Sequence, residues 1–322
     1  MILPLLLAAA INPTSFYNSF DHRHPPLAHI KPGEVVQTRT IDAGGVDENS
    51  KPSGSRGNPL TGPFYIEGAA PGDSIEVRFR RIRMNRDWGF STFRLGLYAI
   101  APESIEGLYS PVHKPDSVIK GRDNIVKWKI DRASGKITLD DPNSAVHKME
   151  FQAVPMLGCV GVAAPGVFGA PSGISGPYGG NMDYNRVNEG ASVHLPVFHP
   201  GALLFMGDGH GLQGDGEPNG TGIETSMDVE FDVVLHKGRT LRNPRLTTPD
   251  YIVSIGSQPE FVSSLDHTLR LATSDMVDWL VKDYKMEPWA AHLLISYAGR
   301  YDVITVGGSV GLRLPRSSLP HH

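Results

Sequence analysis

The densest run of chemically capable side chains is Gly207-Asp208-Gly209-His210-Gly211-Leu212-Gln213-Gly214-Asp215-Gly216-Glu217. It follows the apolar stretch Ala202–Met206, which reads as a strand. Asp208 and His210 are two residues apart, so if the strand persists they project from one face. Gln213, Asp215 and Glu217 follow in the same loop, and five glycines let the backbone turn tightly and approach a ligand. One imidazole with several carboxylates suits Zn²⁺ or a similar divalent ion with a position open to water. The Gly and Glu positions do not fit the twelve-residue EF-hand loop. A second cluster, Gly179-Gly180-Asn181-Met182-Asp183-Tyr184-Asn185, reads by itself as a turn.

These loops need strands to hold them. Ile223, Thr225, Met227, Val229, Phe231, Val233 and Leu235 alternate along one face of the clearest strand, Ile223–Leu235. Glu224, Ser226, Asp228, Glu230 and Asp232 lie opposite, and Glu230 and Asp232 are expected simply to face solvent. Shorter runs at Val35–Ile41, Phe64–Ile66, Ile75–Phe79 and Val193–Phe198 are also expected strands. Two of them follow the turn-forming lead-ins KPGEVV and APGDSIEV. Gly and Pro number 36 and 26 of 322 residues, about 19% against an average near 12%, which fits many tight turns.

After about Lys237 the period changes. Leu265, Leu269, Ala272, Met276, Leu280 and Tyr284 recur at helical spacing, so residues 263–285 are expected to form an amphipathic helix. Pro288 opens a second helix, and Tyr301–Val306 reads as a closing strand. The expected architecture is mainly β: a β-sandwich or barrel domain over residues 1–237, then a smaller α+β segment over 238–322.

With 40% hydrophobic and 20% charged residues the chain is an ordinary globular one, and a charge of −4 offers nothing to nucleic acid. Cys159 is the only cysteine, so no intramolecular disulfide forms. Residues 1–10, MILPLLLAAA, resemble a secretory signal core without its basic flank, implying a periplasmic or secreted protein. The alternative is an N-terminal strand in a cytoplasmic one. The run is too short to span a membrane, which takes roughly 20 residues, and no membrane partner is expected.

MLGCVGVAAP (156–165), GGNMDYN (179–185), LPVFHPGALLFMGDGHGLQGDGE (195–217) and GTGIETSMDVEFDV (220–233) closely resemble the acetamidase/formamidase family. So do SFDHRHPPLAHIKPGE (19–34) and NPLTGPFYIEGAAPGDSIEV (58–77), and the similarity runs from about Thr14 to Gly308. Tyr17, Gly211 and Pro218 depart from the family's usual residues. The resemblance implies hydrolysis of short aliphatic amides to carboxylate and ammonia, a mainly β fold, a homo-oligomer, and a divalent metal, commonly zinc and sometimes calcium. It makes Asp183, Asp208, His210 and Glu224 the expected ligands; Glu224 also fits by its place on the polar face of its strand.

Amide hydrolysis needs an activated water and a stabilised oxyanion. A metal can lower the pKa of its water to about 7, and a carboxylate can carry the proton to the leaving nitrogen. Glu217 is expected in that role with Asp215 as its substitute, and Gln213 or Asn181 as oxyanion donor. Cys159 sits in an apolar run and reads as packing rather than nucleophile. Ser172-Gly173-Ile174-Ser175-Gly176 lacks an evident lysine partner for serine chemistry. Two alternatives stay open: a calcium-holding β-sandwich binding module, and a related C–N hydrolase acting on lactams.

Overall fold

The computed structural model describes residues 9–92, 99–101, 125–140, 149–257 and 264–320. Most of the signal-like run, residues 1–8, therefore lies outside the described residues, as does residue 263 of the expected helix.

Two large open sheets face each other. The first has nine strands in the order Ala9–Ala10, Val36–Arg39, Met227–His236, Ser74–Met84, Ser192–Pro196, Arg245–Thr247, Tyr251–Ser257, Ser309–Pro315 and Arg300–Thr305. The second has six: Ser175–Gly176, Gly179–Asn181, Met156–Val162, Leu204–His210, Leu60–Ile66 and Ala28–Ile30. Apolar residues from both inner faces make one core, as where Phe64 of the six-stranded sheet meets Phe231 of the nine-stranded sheet edge-on at 5.2 Å. The architecture is mainly β with an α+β C-terminal segment, and of the two expected forms it is the sandwich: no sheet among the described residues closes on itself. A smaller four-stranded sheet, Glu150–Gln152, Lys136–Leu139, Ile125–Asp131 and Trp88–Thr92, lies beside the loop region.

The two turn lead-ins behave alike, with Gly33 at φ +85° and Gly72 at φ +95°. Their strands are not neighbours, because Met227–His236 inserts between Val36–Arg39 and Ser74–Met84. The nine-stranded sheet also runs on past residue 237. Ser192–Pro196 pairs with Arg245–Thr247, and Leu246, Val253 and Ile255 join the main core.

Helices at Leu265–Tyr284 and Pro288–Ala298 pack in the C-terminal segment. The first buries Thr268, Ala272, Met276, Trp279 and Leu280, while Leu269 of the expected apolar stripe is 39% exposed. Thr268 takes the inward place because the helix backbone rests on Gly256, where a Cβ would come within 1.8 Å of the Thr268 carbonyl oxygen. Arg300–Thr305, expected as the closing strand, is the sheet edge. Ser309–Pro315 lies inside it, between that edge and Tyr251–Ser257.

Candidate metal centre

The Leu204–His210 strand is buried at every residue and pairs with Met156–Val162. Its pairing skips Gly158 and Asp208, and Asp208 takes φ +57° inside the strand. That kink keeps Asp208 Oδ1 within 3.6 Å of His210 Nε2, so the two side chains share one side of the chain.

Glu224 reaches the same point by a different route from the one its alternation suggested. The regular strand begins at Met227, and residues 223–226 are buried on both faces. Glu224 sits in an extended connection bridged to His210 on one side and to Phe90 on the other. Its amide donates to the Phe90 carbonyl at 2.7 Å and its carbonyl accepts from the Phe90 amide at 3.1 Å. Farther along, Asp232 is buried against Arg80 at 2.6 Å rather than solvated, and Glu230 accepts from Gln37.

Asp183 enters from the turn after Gly179–Asn181, its amide donating to the Gly158 carbonyl at 3.1 Å. Ligand-capable atoms of Asp208, His210 and Glu224 lie within 4.8 Å of one another, as do those of Asp183, His210 and Glu217. Asp183, Asp208, His210 and Glu224 are each at most 5% exposed, whereas Glu217 is half-buried at the rim. Asp215 lies apart: it is exposed and accepts from Asn185 Nδ2 at 2.7 Å.

Hydrogen bonds orient this group. Gln213 Nε2 donates to the Asp183 carbonyl at 2.6 Å, so its Oε1 faces His210 Nδ1 at 2.8 Å. A carbonyl oxygen only accepts, which makes Nδ1 the protonated nitrogen and turns Nε2 toward Asp208 and Glu224. Asn181 Nδ2 donates to Asp183 Oδ2 at 2.6 Å, and its Oδ1 accepts from Asn58 and from the Cys159 thiol. Asn58 also donates to Asp208 Oδ2 at 2.9 Å. Gln213 and Asn181, expected as oxyanion donors, therefore have their amides turned to holding His210 and Asp183. Cys159 is fully buried, and burial with the nearby Asp208 and Asp183 charges pushes its thiol well above the ordinary range. Ser175 touches the hydroxyls of Ser257 and Ser309, and Ser172 donates to the Gly57 carbonyl at 2.8 Å.

Three residues of the site have no local sequence signature. Asn58 comes from another strand approach, 150 residues before Asp208. Gly158 leaves the space that Asp183 and Asp208 occupy: a Cβ there would lie 2.3 Å from Asp183 Oδ1 and 2.6 Å from Asp208 Oδ2. Gly222 does the same for the imidazole, since its Cβ would lie 2.5 Å from His210 Nδ1.

The electrostatics ask for a cation. Burial, with the charges of Glu217 and Asp208, pushes the Asp183 carboxyl well above its usual range. Burial raises Glu224 to about 8 even against the pull of His210. Burial alone would depress His210, but the Glu224 and Asp208 carboxylates push it well upward. Glu224 Oε2 lies 3.2 Å from His210 Nε2 without hydrogen-bond alignment. That oxygen and Asp183 Oδ1 are two of the three buried side-chain polar atoms that lack a hydrogen bond among the described residues. Backbone strain gathers here as well. Eight described non-glycine residues have positive φ, and Asn58, Asp183, Asp208 and Glu217 are four of them. Orphaned buried carboxylate oxygens beside a fixed imidazole fit a divalent cation.

Residues 169–286 match the model of the Acetamidase/Formamidase family. A putative formamidase of Schizosaccharomyces pombe is 28% identical over 246 residues, which cover 62% of this chain and 59% of that protein. The chain thus matches less than two thirds of that relative's length. Among solved structures, an acetamidase from Yersinia enterocolitica superposes with a TM-score of 0.79 at 26% identity, covering 98% of this chain and 94% of its own. A predicted acetamidase/formamidase from Thermoanaerobacter tengcongensis gives 0.76 at 27%, with 96% of each chain covered. With the motif blocks in order and the fold shared almost end to end, the chain is similar to the acetamidase/formamidase family.

Proposed function

We propose that this protein hydrolyses small aliphatic amides of the formamide and acetamide kind to a carboxylate and ammonia, using a divalent cation held by Asp183, Asp208, His210 and Glu224. The observation that carries the reading is that Asp208, His210 and Glu224 meet at one point, with Asp183 and Glu217 meeting His210 as a second group, while one oxygen each of Asp183 and Glu224 is left unbonded. The names of the similar proteins support the amide substrate. The imidazole favours Zn²⁺, and three carboxylates make Ca²⁺ the second candidate.

A divalent cation in this set supplies Lewis acidity, polarising an amide carbonyl and acidifying water. The protein's own groups do the rest. Gln213 holds His210 with Nε2 facing inward, and Asn58 and Asn181 hold the Asp208 and Asp183 carboxylates. Glu217, at the half-buried rim, takes a proton from the attacking water and returns it to the departing nitrogen as the C–N bond breaks. All of these residues fall within 1–237, while 238–322 braces the rim, where Val306 donates to the Gly216 carbonyl at 2.7 Å. Assembly into a homo-oligomer belongs to the same proposal. Exposed Trp289, Leu293 and Tyr297, four residues apart on one helix, support it.

The test is ammonia release from formamide and acetamide by native, chelator-treated and zinc- or calcium-restored protein. His210→Ala should lose metal and activity together. Undiminished turnover after complete removal of divalent ions would overturn the metal reading.

A further inference from the structure

On the face of the nine-stranded sheet turned away from the main core, apart from the central cluster, three adjacent strands bring Glu76, His194 and His236 together. We propose that these residues form a second divalent-cation site of the His₂Glu type, suited to Zn²⁺, independent of the central one and of the amidase reading.

The register builds it. His194 lies directly opposite Glu76 in the pairing of Ser192–Pro196 with Ser74–Met84. On the other side Glu76 pairs with Val234, and His236 lies two residues on, on the same face. One ligand-capable atom of each residue lies within 4.8 Å of the other two. His236 Nε2 is 3.2 Å from Glu76 Oε2. Arg78 holds the carboxylate through both oxygens, Nε donating to Oε1 at 2.9 Å and Nη2 to Oε2 at 3.4 Å, and Oε2 also faces His236. The Thr247 hydroxyl, 3.0 Å from His194 Nε2, fixes that ring, and Trp279 packs edgewise against it.

The charge state suits a cation. Burial disfavours the charged form of the His194 imidazole. Burial alone would raise Glu76, but the Arg78 guanidinium hydrogen-bonded to it draws its carboxyl below the usual range. Arg239 and Arg245 also face His194, yet each is matched by an acid, Asp283 and Asp275 respectively. Two imidazoles and one carboxylate leave a fourth position for water, the usual arrangement around Zn²⁺ with three protein ligands. Because the ligands stand on three hydrogen-bonded strands, the site is largely preformed.

The experiment counts metal. Wild type, His236→Ala, Glu76→Gln, His210→Ala and the His210→Ala/His236→Ala double variant are stripped with chelator and dialysed against micromolar Zn²⁺. Zinc per chain is then measured by elemental analysis, and Tm with and without Zn²⁺ is recorded by circular dichroism. His236 is the half-exposed last residue of its strand, so its truncation leaves the core intact. His236→Ala and Glu76→Gln should each lower the count by one relative to the parent, in wild type and in the His210→Ala background alike. Both should shrink the zinc-dependent rise in Tm while amide hydrolysis at the central site stays unchanged. An equal zinc count in His236→Ala and its parent in both backgrounds would overturn the second site. A loss seen only with His210→Ala would overturn it too while leaving the amidase proposal standing.

Discussion

Replacing Gly158 by alanine adds one methyl group where the chain has made room for two carboxylates. Gly158 has no positive φ, so the backbone itself accepts alanine, and the effect comes from contact alone. The new Cβ would stand 2.3 Å from Asp183 Oδ1 and 2.6 Å from Asp208 Oδ2, against an ordinary separation of about 3.5 Å. Both carboxylates must therefore retreat by roughly 1 Å. Neither has free space, since Asn181 and Asn58 hold them by hydrogen bonds and both are buried. Overpacking of this kind costs about 1–3 kcal/mol, or roughly 1.5–4.5 °C in Tm for a chain of this size. A displacement near 1 Å of site groups costs about 100-fold in turnover. Zinc affinity, by titration calorimetry after chelation, should weaken at least tenfold, while circular dichroism shows a folded protein. Gly173→Ala is the control, because a Cβ there meets nothing within 4 Å. If Gly158→Ala kept zinc affinity and ammonia release within twofold of wild type, the two carboxylates would not be acting as a shared site.

Glu217→Gln should keep the metal, measured by elemental analysis, and lose about 10²–10⁴-fold in turnover, the usual contribution of a general base. Loss of metal with unchanged residual turnover would make Glu217 a ligand instead. The chelated protein should lose stability as pH rises. Glu224 titrates near 8 in the folded chain against an ordinary 4.5, and Asp183 and His210 are also raised, so the folded state binds more protons than the unfolded across that window. Tm of chelated protein should fall between about pH 5 and 8, and saturating zinc should flatten that fall, with protons released on binding; a rising Tm after chelation would refute the assignment. Cys159→Ser should stay within a few-fold of wild type in ammonia release, since the hydroxyl still donates to Asn181. A thiol reagent that inactivated native wild type stoichiometrically, but spared Cys159→Ser, would make the thiol a nucleophile.

Much of this molecule is legible from residue order alone, where the deciding physics is local. Turn chemistry at Gly33 and Gly72 and the alternation from Met227 to Leu235 are set by neighbours a few residues away. The same holds for the helical period after Leu265. The spacing of Asp208 and His210 pointed to a shared face, but it is the positive-φ kink at Asp208, not regular strand alternation, that holds them together. Leu269 shows the limit: the period marks a stripe, but the close approach at Gly256 decides which turn of it is buried. Glu224 was found for a reason the fold replaces, since a doubly bridged extended segment, not strand alternation, turns it inward. The partners Asn58, Gly158 and Gly222 depend on strands adjoining across long separations, and composition carries no record of such adjacency. Glu76, His194 and His236 make the same point, being 118 and 42 residues apart in order yet neighbours across hydrogen-bonded strands. Local propensity writes the elements into the sequence, while strand order and register, which depend on global packing, decide which side chains meet.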